Sequence, residues 1–383
     1  MLLVGLLTLS PAPFLLRASA TAGQDNSQEQ APPTQTPDPA TTAVDAAQPF
    51  QDWLNELLNE ARGRGFSDAL LQETLVGVEP LTRVIASDRS QAELNPGFAR
   101  YASARLTRQR VASGQELIRT NADLLERIEK TYGIQPRFLI AFWGLESNYG
   151  RLTGRVPVFQ ALATLAWEPR RASLFRSELF QALMMVDRGF IEAPTMTGSW
   201  AGAMGQPQFM PSSYMRYAVD FDGDSRRDIW KSTPDALASM ANYLKGFGWN
   251  GNQTWGREVK VTPAALEKIV KRIPKRTDGC YAQRNMTERR PLAEWRELGV
   301  RQRDGSPLPN ASLEAGLVDV GQRKFLVYPN YDAILSYNCA HYYALTVGLL
   351  GDALQATKGT KDGTTKSGTT KDTKITKGTK TAK

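Results

Sequence analysis

The sequence has very few of the residues on which nucleophilic and zinc-dependent enzymes usually depend. It contains one histidine, His341, and two cysteines, Cys280 and Cys339, in 383 residues. A Ser-His-Asp or Cys-His apparatus would have to use His341, and Cys339 lies too close to it in sequence to suggest one. A zinc site built from cysteine and histidine lacks ligands. Any catalysis must therefore rest mainly on carboxylates, hydroxyls, amides or lysine.

A recognisable nucleic-acid-reading motif is also missing, although the net charge is +8. Much of that charge lies in a Thr-, Lys- and Gly-rich tail at 357–383, where eight lysines outweigh two aspartates. This tail is interpreted as a disordered, solvated end. The stretch 21–47 is rich in Pro, Thr, Gln and Ala and carries only acidic charges, which is typical of a disordered linker. A mildly basic body with a cationic tail would also suit a polyanionic partner.

The N-terminus predicts export. Residues 1–20 are apolar, contain prolines and end in Ala18-Ser19-Ala20, the small-x-small pattern of a signal-peptide cleavage site. No basic residue precedes the apolar run, which leaves the true start site open, and no cysteine follows it, so we expect no lipid anchor. Export would permit a Cys280–Cys339 disulfide, with two separately buried thiols as the alternative.

Between the linker and the tail, the hydrophobic pattern predicts a mainly helical body that begins near Phe50. Between about 250 and 330 the pattern is shorter and predicts a small mixed region. No internal repeat is evident. The predicted helices are at 98–131, 135–148, 171–187, 234–246 and 332–354, and a strand is predicted at 324–328.

Residues 136–150, PRFLIAFWGLESNYG, place a carboxylate at the end of an apolar helix. Pro136 suits the first turn, and Glu146 follows Phe142 and Trp143 by one turn on the same face. Burial and the negative helix end both disfavour ionisation, so they raise the pKa of Glu146 and make it a candidate general acid near neutral pH. The alternative is a glutamate paired with one of the many arginines.

Longer motifs carry a family resemblance. The ESNYG motif at 146–150 precedes a helical stretch, and the segment 198–214 then reads GSWAGAMGQPQFMPSSY. Together with ANYLKGFGW at 241–249, Arg290-Pro-Leu and Tyr337-Asn338, this pattern resembles the lytic murein transglycosylase B family over roughly residues 50–355.

The resemblance implies a mainly α (α+β) fold, with a lysozyme-like helical core, an additional helical region and a small mixed α/β subdomain. It places the catalytic domain at 48–356 and assigns Glu146 as the single acid/base. For each further position the alternative is a buried structural polar group, or a solvated side chain for the two arginines. The positions that match the family's cleft are Ser199, Gln208, Tyr243, Tyr337, Asn338, Arg170 and Arg171.

The implied chemistry is cleavage of the bond between N-acetylmuramic acid and N-acetylglucosamine in peptidoglycan, with closure of a 1,6-anhydro ring and no catalytic cofactor. The expected partners are glycan strands and not nucleic acid, with wall-synthesis proteins as further candidates. We expect a periplasmic monomer. The alternatives are a muramidase that hydrolyses the same bond with water and a non-catalytic peptidoglycan-binding protein.

Alternating carboxylates at Asp220, Asp222 and Asp224 predict a structural Ca²⁺ loop, in which Arg226 would contribute its carbonyl. The pattern resembles the first half of an EF-hand, and the family carries such a loop at this place. Ser225 stands where glycine is usual, and Lys231 where a bidentate glutamate is usual, so Asp235 is the candidate closing ligand. The alternative is an acidic turn neutralised by Arg226 and Arg227.

Overall fold

The structure, a computed structural model, describes residues 48–90 and 97–355 together with two short paired strands near the N-terminus. Apart from those strands, the predicted signal peptide (1–20), linker (21–47) and tail (357–383) lie outside the described residues. Among the helices that are described, none combines the length and the apolarity needed to cross a bilayer.

Sixteen α-helices and nine β-strands lie within the described residues. The helices are α1 (Phe50–Gly63), α2 (Asp68–Thr74), α3 (Thr82–Ser90), α4 (Phe98–Arg105), α5 (Arg108–Thr120), α6 (Ala122–Tyr132), α7 (Pro136–Ser147), α8 (Val158–Trp167), α9 (Ala172–Asp187), α10 (Pro211–Tyr217), α11 (Thr233–Gly246), α12 (Pro263–Arg272), α13 (Tyr281–Arg284), α14 (Leu292–Glu297), α15 (Asn330–Tyr337) and α16 (His341–Leu354). The strands are β1 (Leu3–Val4), β2 (Gln30–Ala31), β3 (Val156–Pro157), β4 (Thr197–Gly198), β5 (Gly256–Lys260), β6 (Arg290–Pro291), β7 (Arg301–Gln302), β8 (Glu314–Val320) and β9 (Arg323–Val327).

Two of the predicted helices are interrupted in the structure. The pattern over 98–131 divides into α4, α5 and α6. The Thr107 side chain caps the start of α5 by accepting a hydrogen bond from the Arg110 amide at 3.2 Å, and Asn121, with non-helical backbone (φ −111°, ψ 25°), separates α5 from α6. The pattern over 332–354 divides into α15 and α16, because Asn338 has extended backbone (φ −149°, ψ 115°). The other three predicted helices and the strand at 324–328 appear within two residues of their expected bounds.

Helix α7 lies at the centre of the larger core. Its residues from Phe138 to Ser147 are all buried, and α5, α11 and α16 pack around it. A helix that is apolar on all sides is stable only when other elements cover every face. The helices packed around α7 therefore hold its last turn in place.

The small mixed region contains an antiparallel sheet in the order β6-β8-β9-β5-β7, with α12 to α14 around it. It has its own apolar core, which includes Trp295 and Leu326. A disulfide joins Cys280, directly before α13, to Cys339, between α15 and α16. The predicted disulfide is thus present, and the alternative of two separate thiols is wrong. The bond fastens this region to the segment that follows α15.

Candidate active site

Glu146 lies in the last turn of α7 and is only 2% exposed. The helix ends directly after it, because Asn148 and Tyr149 adopt left-handed backbone with φ of 49° and 61°. Burial raises the pKa of Glu146 from 4.5 to about 7, although a hydrogen bond from Tyr343 acts in the opposite direction. The carboxyl is therefore present in both protonation states near neutral pH.

Tyr343, on α16, orients this carboxyl. Its hydroxyl donates a hydrogen bond to Glu146 Oε1, while Glu146 Oε2 is buried and has no hydrogen-bond partner among the described residues. One oxygen is thus held and the other is available to a ligand. The sequence analysis missed Tyr343. The signal that could have found it is its place in the first turn of the helix that follows the Tyr337-Asn338 motif.

The Gly- and Ala-rich segment from β4 to α10 folds as a tight loop against α7. Ser199 Oγ accepts hydrogen bonds from the Ala201 and Ala203 amides at 3.3 and 3.1 Å, so this predicted cleft residue stabilises the loop itself. The Gln208 amide nitrogen donates to the carbonyls of Thr153 and Gly205 at 3.1 and 2.7 Å. Its amide oxygen accepts no hydrogen bond from the described residues and is available to a ligand.

Gln206 links this loop to α7. Its amide oxygen accepts a hydrogen bond from the Trp143 indole at 2.9 Å, and its amide nitrogen donates to the Trp230 carbonyl at 3.1 Å. Gly205 beside it has φ of 65°, and a Cβ there would lie 2.7 Å from the Ile229 carbonyl oxygen. Only glycine fits this approach without strain.

Tyr243 and Tyr337 stand together beside Glu146. Their ring centroids lie 4.8 Å apart, and their hydroxyls donate to the carbonyls of Ser336 and Pro207 at 2.6 and 2.7 Å. Burial raises the pKa of both tyrosines, and the nearby Glu146 charge raises it further. The structure therefore brings these two predicted residues into electrostatic reach of the carboxyl.

Asn338 is fully buried, yet neither its amide nitrogen nor its amide oxygen has a hydrogen-bond partner among the described residues. An unsatisfied buried amide costs about 1–3 kcal/mol. Such a group is rare in a folded chain unless a ligand completes its hydrogen bonds. This is the behaviour expected of a cleft residue that binds polar groups of a substrate.

Arg170 and Arg171 have a different environment. Both guanidinium groups form ion pairs with Asp88 of α3, whose side chain is 1% exposed. The Arg171 guanidinium also lies 5.0 Å from the centroid of the Phe175 ring. Asp88 thus neutralises both arginine charges inside the fold. The geometry adds no support for placing Arg170 and Arg171 in the cleft, and their role in substrate binding stays a prediction.

The predicted cation loop brings four carboxylates together. One oxygen from each of Asp220, Asp222, Asp224 and Asp235 lies within 4.8 Å of the others. Ser225 adopts φ of 70°, the left-handed conformation for which glycine is usual at this position. Among the described residues, no arginine or lysine forms an ion pair with any of these four carboxylates, and the alternative of an acidic turn beside Arg226 and Arg227 stays open. The convergence of hard oxygen donors fits Ca²⁺.

Comparison with known proteins gives consistent matches over nearly the whole body. The family described as Transglycosylase SLT domain matches residues 49–352. The membrane-bound lytic murein transglycosylase B of Escherichia coli (strain K12) is 31% identical over 315 residues, which cover 79% of this chain and 82% of that protein.

Solved structures agree with these matches. SltB3 from Pseudomonas aeruginosa, in complex with NAG-NAM-pentapeptide, is 38% identical with a TM-score of 0.73, over 81% of this chain and 80% of that chain. The Escherichia coli lytic transglycosylase Slt35, in complex with calcium, is 30% identical with a TM-score of 0.65, over 81% of this chain and 93% of that chain.

Proposed function

The chain belongs to the SLT transglycosylase family and is a peptidoglycan lytic transglycosylase, and we propose that Glu146 is its single acid/base catalyst. The resemblance inferred from the motifs is thereby confirmed, as is the mainly helical, lysozyme-like fold with its small sheet. The enzyme is a lyase that acts on polysaccharide and needs no catalytic cofactor. The observation that carries the proposal for Glu146 is its buried carboxyl with one free oxygen.

The first step uses the protonated carboxyl. Glu146 Oε2 donates its proton to the glycosidic oxygen as the bond from that oxygen to the anomeric carbon of N-acetylmuramic acid breaks. The acetamido group of the substrate stabilises the positive charge that develops at the anomeric carbon. Because the hydrogen bond from Tyr343 fixes Oε1, the Glu146 side chain is held in one rotamer, in which the protonated Oε2 is directed at the glycosidic bond.

The second step returns the proton. The muramoyl 6-hydroxyl attacks the anomeric carbon, its oxygen forms the new bond, and its proton passes to the Glu146 carboxylate. A pKa of about 7 for Glu146 suits both steps, the donation and the later acceptance of the proton, since neither protonation state is strongly disfavoured at neutral pH. The products are a 1,6-anhydro-muramoyl end and a new N-acetylglucosamine end, and no water is consumed.

A retaining glycosidase with a second carboxylate close to Glu146 is disfavoured by the electrostatics of the site. A retaining enzyme places its second carboxylate about 5 Å from the first, and such a charge would raise the pKa of Glu146. Within the described part of the chain, no other carboxylate contributes to that pKa. This supports assistance by the substrate's own acetamido group.

Product analysis tests this mechanism. Sacculi digested by the enzyme should release fragments with anhydro ends in mass spectrometry, while reducing ends would mean hydrolysis by water. The Glu146→Gln variant should lose turnover and still bind glycan. Retained turnover in that variant would remove Glu146 from the proposed role.

We further propose that the Gln208 amide oxygen and the Asn338 amide bind polar groups of the sugars, with Tyr243 and Tyr337 as the wall behind them. The support is that both amide atoms of Asn338 are buried without a hydrogen-bond partner among the described residues. Gln208 is 3% exposed, and its hydrogen bonds to Thr153 and Gly205 use only its amide nitrogen. Ser199 acts by holding the loop that presents Gln208. Single alanine substitutions at Gln208 and Asn338 should each raise KM for glycan fragments, and an unchanged KM would contradict this assignment.

A structural Ca²⁺ in the loop from Asp220 to Asp235 is also proposed. Asp220, Asp222, Asp224 and Asp235 would supply carboxylate oxygens and Arg226 a carbonyl, in keeping with the solved calcium complex of Slt35. Millimolar Ca²⁺ should raise the Tm of the parent protein and leave that of Asp224→Asn unchanged. A parent Tm that does not move with Ca²⁺ would reject the site.

For the whole chain we propose a catalytic domain at 48–356 and export by residues 1–20 to the periplasm, where glycan strands are its substrate. Cell fractionation with cleavage-site mapping tests the export. Retention in the cytoplasm, or an uncleaved N-terminus, would contradict it.

A further inference from the structure

Two arginines at the junction of α4 and α5 have no acidic partner among the residues that the structure describes. Arg105 ends α4 and is only 7% exposed, and Arg110 lies partly buried in the first turn of α5. Arg105 Nη1 donates to the Tyr101 carbonyl at 3.2 Å, and Arg110 Nη1 donates to the Arg105 carbonyl at 2.8 Å. Arg105 Nη2 and Arg110 Nε are buried and have no hydrogen-bond partner among the described residues.

This arrangement is costly for a folded chain. A buried charge needs a counter-charge and full hydrogen bonding, because otherwise its desolvation is not compensated. Within the described part of the chain, the Arg105 guanidinium has as partners only the Tyr101 carbonyl and the face of the Tyr101 ring, whose centroid lies 3.8 Å from the guanidinium carbon. Burial lowers the pKa of Arg105, and the neighbouring Arg110 charge lowers it further. The pair therefore offers charged donors for which the described residues supply no anion.

Tyr101 connects this pair to the catalytic carboxyl. Its ring, on which the Arg105 guanidinium lies, has its centroid 5.7 Å from that of Tyr342, the residue next to Tyr343. Burial raises the pKa of Tyr101 to about 12, and the charges of Arg105 and Glu146 then act on it in opposite directions. The Tyr149 hydroxyl, three residues after Glu146, donates a hydrogen bond to the Arg110 carbonyl at 2.7 Å, and this contact places the arginine pair at the end of α7 that carries Glu146.

The substrate supplies the missing anion. The sugar backbone of peptidoglycan carries no charge where the lactyl group of N-acetylmuramic acid is amide-linked to its peptide, and the negative groups are then the carboxylates of that peptide stem. A guanidinium presents fixed donors that match a carboxylate. We propose that Arg105, supported by Arg110, forms a subsite that binds a carboxylate of the muramoyl peptide stem. This proposal rests on the proposed function.

The test compares two ligands on one protein. Full-length protein carrying Glu146→Gln is titrated calorimetrically with N-acetylglucosaminyl-N-acetylmuramoyl-pentapeptide and with the same ligand after its stem carboxylates are converted to amides. The charged stem should bind about ten- to a hundredfold more tightly, the effect of one charge-assisted hydrogen bond. Adding Arg105→Gln should remove that preference and leave binding of the amidated ligand within about twofold. Arg108→Gln, an exposed arginine on α5, is the matched control and should keep the preference.

Every outcome bears on the subsite. Equal affinity for the two ligands before any arginine is changed would overturn it. So would an equal loss for both ligands in Arg105→Gln, because that pattern indicates damage to the fold. If Arg105→Gln does not fold, Arg105→Met takes its place, because methionine keeps an extended apolar side chain without the charge, and a full preference in that variant would overturn the proposal. Failure of the proposed function is seen separately, as absence of anhydro products from the unmodified enzyme.

Discussion

Replacing Glu146 by glutamine should stabilise the protein, and the gain should depend on pH. The pKa of Glu146 is about 7 in the folded chain, against an ordinary value of 4.5. Between these values the folded chain binds a proton that the unfolded chain has released. Stability from this group is therefore full below the unfolded pKa and is lost as pH rises through the folded pKa.

The magnitude follows from the same two values. At 1.36 kcal/mol per pKa unit, the shift corresponds to about 3 kcal/mol lost between acidic pH and pH 8. The full amount applies because the side chain is only 2% exposed. Glutamine has a similar shape and no charge to desolvate. The free energy of unfolding of Glu146→Gln minus that of the parent should thus grow by about 3 kcal/mol from pH 4 to pH 8.

Urea unfolding of both proteins at pH 4, 6 and 8 measures this difference. Glu267→Gln, at an exposed position of α12, is the control and should stay within about 0.5 kcal/mol of the parent at each pH. A gap that is constant with pH, or one that shrinks as pH rises, would refute the reasoning that burial raises the pKa of Glu146.

Three further predictions follow from contacts of the site. Tyr343→Phe removes the hydrogen bond that lowers the pKa of Glu146, so the alkaline limb of the kcat/KM profile should move up by about one to two pH units; a downward shift would contradict this. Gly205→Ala should lower the free energy of unfolding by about 1–3 kcal/mol, measured in urea, because its left-handed backbone and close approach exclude a side chain; an unchanged value would contradict it. Replacing Cys280 and Cys339 by serine should cost about 2–4 kcal/mol of stability in the same assay, and it should raise KM more than it lowers kcat because the segment with Asn338 loses its tether. Unchanged kinetics would contradict that role.

The sequence was sufficient to predict the helix that carries the acid. Pro136 and an apolar run define α7 locally, and burial on all sides follows from the absence of a polar face. The break within 332–354 was not predicted. It depends on extended backbone at Asn338, between two helices that are individually apolar, and no proline or glycine marks it.

Contacts between distant parts of the chain could not be derived from local patterns. Tyr343 and Glu146 are 197 positions apart, and a tyrosine at the start of an apolar helix is ordinarily part of the core. The same limit applies to Arg170 and Arg171. A pair of arginines before a helix is equally typical of a substrate-binding site and of an ion pair with an internal carboxylate, and the ion pairs with Asp88 could not be foreseen because Asp88 is more than 80 positions away.

The Cys280–Cys339 bond also has a consequence for the order of events in the life of the enzyme. In a reducing compartment the two thiols stay apart, and the residue next to Cys339, the buried Asn338, lacks its covalent fastening. Under the export proposed above, the disulfide would form only after the chain had reached a compartment where disulfides persist. The segment that carries Asn338 would then be tethered in exported copies of the enzyme and not in newly made copies inside the cell.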